Sequence, residues 1–319
     1  MVEALRESGL RQITFLEERG IDPYPGVIPP RTHFNAEVVR DFDVLADQQV
    51  DLVGRLVAVR AHGKRFFFDL QDESGRVQGM LTHDPEIEDG RIELFKGGFS
   101  VGDFVGVSGR VMKTRSGEVT VEVGDLRMLA KSILPPPEEL KDTETRYRQR
   151  YLDLMANNEV VERFKFRSRM VEMMRQRFIG FGCHEVETPI LDTTYGGANA
   201  KPFITHHNAL DANLYLRISN ELYLKRLLVG GLEGVFEFSR DFRNEGMDRT
   251  HNPEFTQVEL YKAYTDYEWM MQMSEALMSD VARELLGSDK VEYMGQTVDL
   301  QVPWKRLSIY DGVREYYGF

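Results

Sequence analysis

"FRNEGMDRTHNPEFTQVELY", Phe242 to Tyr261, sets Arg243, Glu245, Arg249, His251, Glu254, Glu259 and Tyr261 within twenty residues, between short apolar runs. The flanks alternate: "VFEFSRDFRNEG" before and "EFTQVELYKAY" after read as two strands joined by a polar loop. Successive strand side chains point to opposite faces, so Arg243 and Glu245 fall on one side and Phe242 and Asn244 on the other. Downstream, Gln257, Glu259 and Tyr261 share a face, with Phe255 leading into it. If the strands pair through the loop 246–253, one sheet face gathers Arg243, Glu245, Glu259 and Tyr261. Alternating charge on a solvated face is the ordinary reading of such a pattern. Here the apolar flanks predict a sheet carrying a helix on its other side. Half-buried Arg and Glu then need partners, because unpaired buried charge is costly. A polar ligand pocket meets that need, and so does an internal ion-pair network; spacing leaves both open.

Working outward, "EWMMQMSEALMSDVARELLG" follows as an amphipathic helix. Before the stretch come a strand, "LYLRI", and a helix, "NELYLKRLLVGG", closed by glycines. "GGANAKPF" is a glycine-rich loop, and "CHEVETPIL" is strand-like, with Pro189 marking an edge or interface position. Residues 158–179 carry Val160, Phe164, Met170, Val171, Met174 and Phe178 at three-to-four spacing, which predicts a long helix ended by Gly180 and Gly182. This half is therefore α+β with an antiparallel sheet rather than alternating βαβ units.

The other half has a different texture. Residues 3–19 read as a short amphipathic helix, with Leu5, Ile13 and Leu16 among its apolar positions and Gly20 after it. "IDPYPGVIPP" has four prolines and is expected to be irregular. From Asp51 to Leu129 five strand-like runs follow: "LVGRLVAVRA", "RFFFDLQD", "GRVQGMLT", "DFVGVSGRVMKT" and "EVTVEVGDLRML". Five short strands in about 80 residues suggest a small closed barrel of OB type, with a β-sandwich as the alternative. Pro135–Pro137 read as an interdomain linker. The expected organisation is a helix and linker over 1–50, an OB barrel over 51–134, a linker over 135–157 and the α+β domain over 158–319.

Composition narrows the function without naming it. The 319 residues are 42% hydrophobic, enough for more than one core. Net charge is −12, so a nucleic-acid partner would need a local basic face. The single cysteine, Cys183, excludes an intrachain disulfide and a cysteine-based zinc site, and it fits a reducing, cytoplasmic setting. No apolar run reaches the length of a membrane span.

The opening stretch resembles motif 2 of class II aminoacyl-tRNA synthetases in their lysyl form. "RYRQRYLDLMANNEVVERFKFRSRMVEMMRQRFIGFGCHEVETPIL" resembles their motif 1, a long helix and a strand ending in proline. "GGANAKPFITHHNALDANLYLRISNELYLKRLLVGG" is similar to the stretch between the two motifs. "RFFFDLQDESGRVQ" resembles the N-terminal OB domain of the lysyl, aspartyl and asparaginyl members. "HHNALD" with "ELYLKR" favours lysine over aspartate or asparagine.

The resemblance implies the reaction: lysine and ATP give lysyl-adenylate, and lysine then passes to tRNA(Lys). It implies residue roles as well. Arg243 would hold the α-phosphate, as a planar guanidinium can do with two bonds at once. Phe255 would stack on adenine, Glu245 would lie near ATP and the aminoacyl group, and His251 near the distal phosphates. Glu221 would bind the lysine α-amino group, and Glu259 and Tyr261 would surround its side chain. Gly197 would let the backbone approach the substrate. In the barrel, Phe67 would stack on an anticodon base, with Arg60, Gln78 and Glu118 reading base edges, and "RAHGKR" could supply positive surface. Mg²⁺ would accompany ATP, with no protein ligand for it nameable within the chain. Motif 1 would form a two-fold dimer interface, making the protein a cytoplasmic homodimer.

The pattern also departs from the family. The glycine-rich motif 3 and its ATP-binding arginine are absent from 1–319, as are the expected metal carboxylates and the carboxylate for the lysine ε-amino group. The chain alone is therefore expected not to form lysyl-adenylate, which pyrophosphate exchange with lysine and ATP would contradict. Asn220 stands where many members have proline, and Lys201 where many have arginine; neither is expected to touch an assigned residue directly. A non-catalytic tRNA-binding or dimerisation module, or aspartyl or asparaginyl specificity, are the alternatives.

Overall fold

The computed structural model describes residues 2–62, 65–82 and 90–318. The chain folds as two compact units, Met1–Asn158 and Glu159–Phe319.

The first unit opens with α1 (Val2–Glu17), which buries Leu16, and two short helices that were not expected, α2 (Asn35–Arg40) and α3 (Phe42–Leu45). Five strands follow: β1 (Gln49–His62), β2 (Arg65–Gln71), β3 (Arg76–Thr82), β4 (Phe104–Lys113) and β5 (Val119–Ala130). They close in the order β1-β2-β3-β5-β4, so the expected OB barrel forms rather than a sandwich. Alternation drives closure. Val50, Leu52, Leu56, Phe68, Leu70, Val105, Val107, Val121 and Val123 point inward and pack one core. Each fully buried side chain of that size stabilises by roughly 1.5–3 kcal/mol. A further helix, α4 (Arg91–Gly98), inserts Phe95 under the barrel. Lys131 and Asp103 pair at 2.8 Å with both side chains fully buried. The stretch after the prolines is not plain linker. It carries α5 (Thr143–Arg148) and α6 (Arg150–Ala156), held by Asp153, which accepts from Arg146 at 2.7 Å and Asn157 at 2.7 Å.

The second unit begins with α7 (Asn158–Gly180), as long as its periodicity predicts. Val160 and Phe178 are buried and Met170 and Met174 pack on the core, but Phe164 is exposed. The strand-like "CHEVETPIL" yields only β6 (His184–Glu185) and β7 (Leu191–Asp192). Between them the Thr188 amide and hydroxyl turn instead to Glu237, at 3.2 and 2.7 Å. Next come β8 (Ile204–His207), β9 (Ala212–Leu216) and α8 (Glu221–Val229). The central hairpin is β10 (Gly234–Phe242) and β11 (Glu254–Lys262), followed by α9 (Tyr267–Leu286). The chain ends in a small hairpin, β12 (Lys290–Tyr293) and β13 (Gln296–Asp299), and α10 (Ile309–Tyr317), none of them read from sequence. The central sheet runs β11-β10-β6, with β6 parallel to β10, so it is mixed rather than wholly antiparallel. Phe236, Phe238, Val258 and Leu260 face α7 and α9 and join Phe178, Met273 and Leu277 in one core. The opposite face of the hairpin is polar and builds the site.

Candidate functional site

Register places the polar face rung by rung: Val235 opposite Tyr261, Glu237 opposite Glu259, Ser239 opposite Gln257 and Asp241 opposite Phe255. β10 stops at Phe242, earlier than its alternation suggested. The Arg243 amide still donates across to Pro253 at 2.9 Å, but the Asn244 amide donates to Lys201 at 2.8 Å. Glu245 therefore leaves the sheet. Its Oε1 accepts from the Lys201 amide at 3.2 Å. Two expectations change: Glu245 does not share a strand face with Glu259, and Lys201 touches an assigned residue through its main chain.

At one end of this face Arg243, Glu245, His251 and Phe255 line one cavity of about 590 Å³. The Arg243 guanidinium lies 5.1 Å from the centre of the Phe255 ring. Its Nε is buried without a hydrogen-bond partner. His251 Nδ1 lies 2.7 Å from Asp248 Oδ2. Asp248 also accepts from the Thr250 and His251 amides, and these bonds, with that to the His251 ring, hold its carboxyl well below the usual range. Asp248 was not picked out from sequence. Its position three residues before a histidine in a loop is the only signal for it.

At the other end, Glu259 is the hub. Its Oε1 accepts from Ser219 Oγ at 2.7 Å and from Gln257 Nε2 at 2.5 Å, and its Oε2 accepts from Tyr261 OH at 3.0 Å. Burial, and then the Glu259 and Glu221 carboxylates, push the Tyr261 hydroxyl above its usual range. Glu221 opens α8, its amide donating to Ser219 Oγ at 3.1 Å and its carboxylate accepting from Lys225 Nζ at 2.6 Å. Gly197 has φ +87°, and a Cβ there would sit 2.8 Å from Ser219 Oγ and 2.9 Å from the Glu221 Cβ. Gly197, Glu221, Glu259 and Tyr261 thus meet around Ser219, a residue that sequence reasoning missed.

Beneath them lies an ion network that was also missed. Arg217 pairs with Glu237 at 2.8 Å and with Asp241 at 3.0 Å. Glu237 further accepts from Asn220 Nδ2 at 3.0 Å, which accounts for the asparagine before Glu221. Both answers to the buried charge are therefore present, an internal network and an open pocket above it. Among the described residues, seven buried side-chain polar atoms lack a hydrogen-bond partner, and five of them belong to Asn220, Ser239, Asp241 and Arg243. Buried polar atoms left in this way mark a place where a ligand or water completes the bonding.

On the barrel, Phe67 pairs with Arg60 and Asp69 with Gln78, which places all four on the outer face. Phe66 and Phe68 point to the core instead. Arg60 is not free: it binds Asp69 with two bonds, 3.0 and 2.5 Å. That carboxylate raises the guanidinium's pKa, with Glu118 adding to it at longer range. Gln78 Oε1 accepts from Thr120 at 2.9 Å. Of "RAHGKR", Gly63 and Lys64 lie outside the described residues.

Among the described residues no three His, Cys, Asp or Glu side chains are placed to hold a metal ion. None of the described helices is long and apolar enough to cross a membrane.

Comparison with known proteins bears on both halves of the chain. A family model described as OB-fold nucleic acid binding domain matches residues 50–129. Lysine–tRNA ligase of Moorella thermoacetica is 50% identical over 312 residues, covering 97% of this chain and 63% of the relative. That of a Thermoanaerobacter species is 47% identical over 310 residues, covering 96% and 62%. That of Clostridium tetani is 44% identical over 306 residues, covering 95% and 61%. The chain thus spans about three-fifths of the length of these relatives. A second family model, tRNA synthetases class II (D, K and N), matches residues 142–319, more than half of the sequence, and the chain belongs to that family.

Proposed function

We propose that this chain serves a lysine–tRNA ligase, which activates lysine with ATP and passes it to tRNA(Lys). The observation that carries the reading is the convergence of Gly197, Glu221, Glu259 and Tyr261 on Ser219. A pocket lined by carboxylates suits a cationic amino acid, with Glu221 proposed for the α-amino group and Glu259 and Tyr261 beside the side chain. Glu221 already accepts a primary ammonium, that of Lys225. Aspartate would bring a second carboxylate against Glu259 and be repelled.

ATP fits the adjoining cavity. Phe255 offers a ring for adenine, and Arg243, with its unsatisfied buried Nε, offers a fork to the α-phosphate. In the first step a lysine carboxylate oxygen bonds to the α-phosphorus as the bond to pyrophosphate breaks, and Arg243 meets the charge gathering on that phosphoryl group. Mg²⁺ supplies charge neutralisation on the phosphates when bound. The described residues form no site for a resident metal ion. The barrel surface with Phe67, Arg60, Gln78 and Glu118 is the proposed anticodon surface, and α7 the proposed two-fold contact. A cytoplasmic location follows from a role in translation.

Calorimetric titration of the chain with lysine, aspartate, asparagine and ATP tests the reading. Lysine and ATP are expected to bind and the other two amino acids not. Binding of aspartate without lysine would reject lysyl specificity. Binding of tRNA with neither lysine nor ATP would favour a non-catalytic module.

A further inference from the structure

The barrel unit holds a second cavity, about 670 Å³, away from the outer face just described. It is built by a close approach. Gly9 on α1 lies so near the chain after β5 that a Cβ there would sit 2.4 Å from the Ile133 carbonyl oxygen. This brings Arg6, one turn earlier on α1, over the proline segment. Arg55 on β1 lines the same cavity, as do Leu134, Pro136, Tyr151 and Met155. The walls are therefore apolar, and the cations lining them are two arginines with no carboxylate among the lining residues.

Arg55 is the unusual member. Its guanidinium stacks 4.4 Å from the centre of the Phe104 ring, its cross-strand neighbour. Its Nε is buried with no hydrogen-bond partner. Burial lowers its pKa. The carboxylate next to it in the fold is Asp103, whose carbonyl accepts from the Leu56 amide. That side chain is committed to Lys131 at 2.8 Å and to the Ser132 amide at 2.8 Å. Among the described residues the ion pair of Arg6 is with exposed Glu3 at 3.9 Å, too long and too solvated to hold it. A half-buried guanidinium without a counterion is costly, and an entering anion would remove that cost.

We propose that this cavity is a binding site for a small organic anion: a phosphate or carboxylate held by Arg55 and Arg6, attached to an apolar body that lies against Leu134, Pro136, Tyr151 and Met155. The site is independent of the lysine and ATP residues.

The test is calorimetric titration of the full chain with phenyl phosphate, benzoate and phenol. Both anions are expected to bind saturably and phenol not, which separates charge from mere apolar partition; a preference between the anions tells phosphate from carboxylate as the group recognised. Measured in the Arg243→Gln background, so that the cavity proposed for ATP does not take the ligand, Arg55→Gln is expected to weaken phenyl phosphate binding at least tenfold and Arg6→Gln at least threefold. Thermal melts show whether each variant is folded, and the Arg6 variant, on an exposed helix face, carries the test if the Arg55 variant is not. No binding, equal binding of phenol, or insensitivity to both arginines would each overturn the proposal.

Discussion

Arg217 Nε lies 3.0 Å from Asp241 Oδ1, yet its N–H is directed at the Arg240 carbonyl, also 3.0 Å away. Asp241 thus has a nearby positive charge but no hydrogen bond to either oxygen, and it is fully buried. Burial outweighs Arg217 and the neighbouring Ser239 hydroxyl, the Glu259 and Glu237 carboxylates add to it, and the Asp241 carboxyl is pushed up to about 6.

That shift sets a pH dependence. The folded pKa lies above the unfolded value, so the folded chain holds its proton longer. Ionised Asp241 therefore destabilises the unit progressively as pH rises from about 4 to 6, and fully above that range. Asp241→Asn mimics the protonated form and removes the loss. Its stability relative to the parent is expected to improve by on the order of 2–3 kcal/mol between pH 4 and 7. Urea unfolding followed by tryptophan fluorescence reads this unit, because Trp269 and Trp304 both lie in it. Identical pH slopes for parent and variant would show that Asp241 ionises normally.

Arg243 is predicted to matter through its shape as well as its charge. Its guanidinium stands 5.1 Å over Phe255, and its Nε has no protein partner. Arg243→Lys keeps the charge but loses the planar fork, so ATP affinity is expected to fall by more than tenfold. Phe255→Ala removes the stacking ring and is expected to cost about 0.5–1.5 kcal/mol of ATP binding, with lysine binding unaffected. Equal ATP affinity of the Lys variant and the parent would place the phosphate elsewhere.

Glu259 and Tyr261 separate charge from hydrogen bonding at the end proposed for the amino acid. Glu259→Gln removes the charge at the hub of three hydrogen bonds. Lysine affinity is expected to drop by about 1.5–3 kcal/mol, the range for a hydrogen bond to a charged group. Tyr261→Phe removes one neutral donor and is expected to cost about 0.5–1.5 kcal/mol. The order should hold in calorimetry at fixed pH. A larger loss from Phe than from Gln would mean that the hydroxyl, not the carboxylate, meets the ligand.

The barrel was legible because each of its strands has one buried and one solvated face, so alternation carries both the secondary structure and its orientation. Phe66, Phe67 and Phe68 sort themselves in this way. The polar hairpin face was legible only in part. Glu237 and Asp241 occupy outward positions by alternation, and nothing in "VFEFSRDF" says that the outward side is covered as well. Their partner Arg217 is remote in sequence, in a run of otherwise apolar residues. An arginine inside "LYLRIS" was the one signal that a buried counterion existed. Glu245 was misplaced because the Asn244 amide finds Lys201, a tertiary contact that no strand pattern encodes. Helices α5 and α6 went unread because seven residues or fewer give too little periodicity to set against the prolines before them.

Gly197 offers a test in which backbone strain can be subtracted. Gly197 and Gly231 both have left-handed φ, +87° and +106°. A Cβ at Gly231 would meet nothing within 4 Å, so Gly231→Ala carries only the backbone penalty, about 1–2 kcal/mol. A Cβ at Gly197 would come within 2.8 Å of Ser219 Oγ and 2.9 Å of the Glu221 Cβ, both on the chain entering α8. Ser219 is the residue that joins Glu221 to Glu259, so pushing it away separates the carboxylate proposed for the α-amino group from the one proposed beside the side chain. Gly197→Ala is therefore expected to lose stability by more than Gly231→Ala and, unlike it, to lower lysine affinity at least tenfold while leaving ATP affinity within about twofold. Paired urea melts and lysine titrations of the two variants decide the matter. Equal lysine affinity in both would remove Gly197 from the amino-acid pocket and leave it a turn glycine.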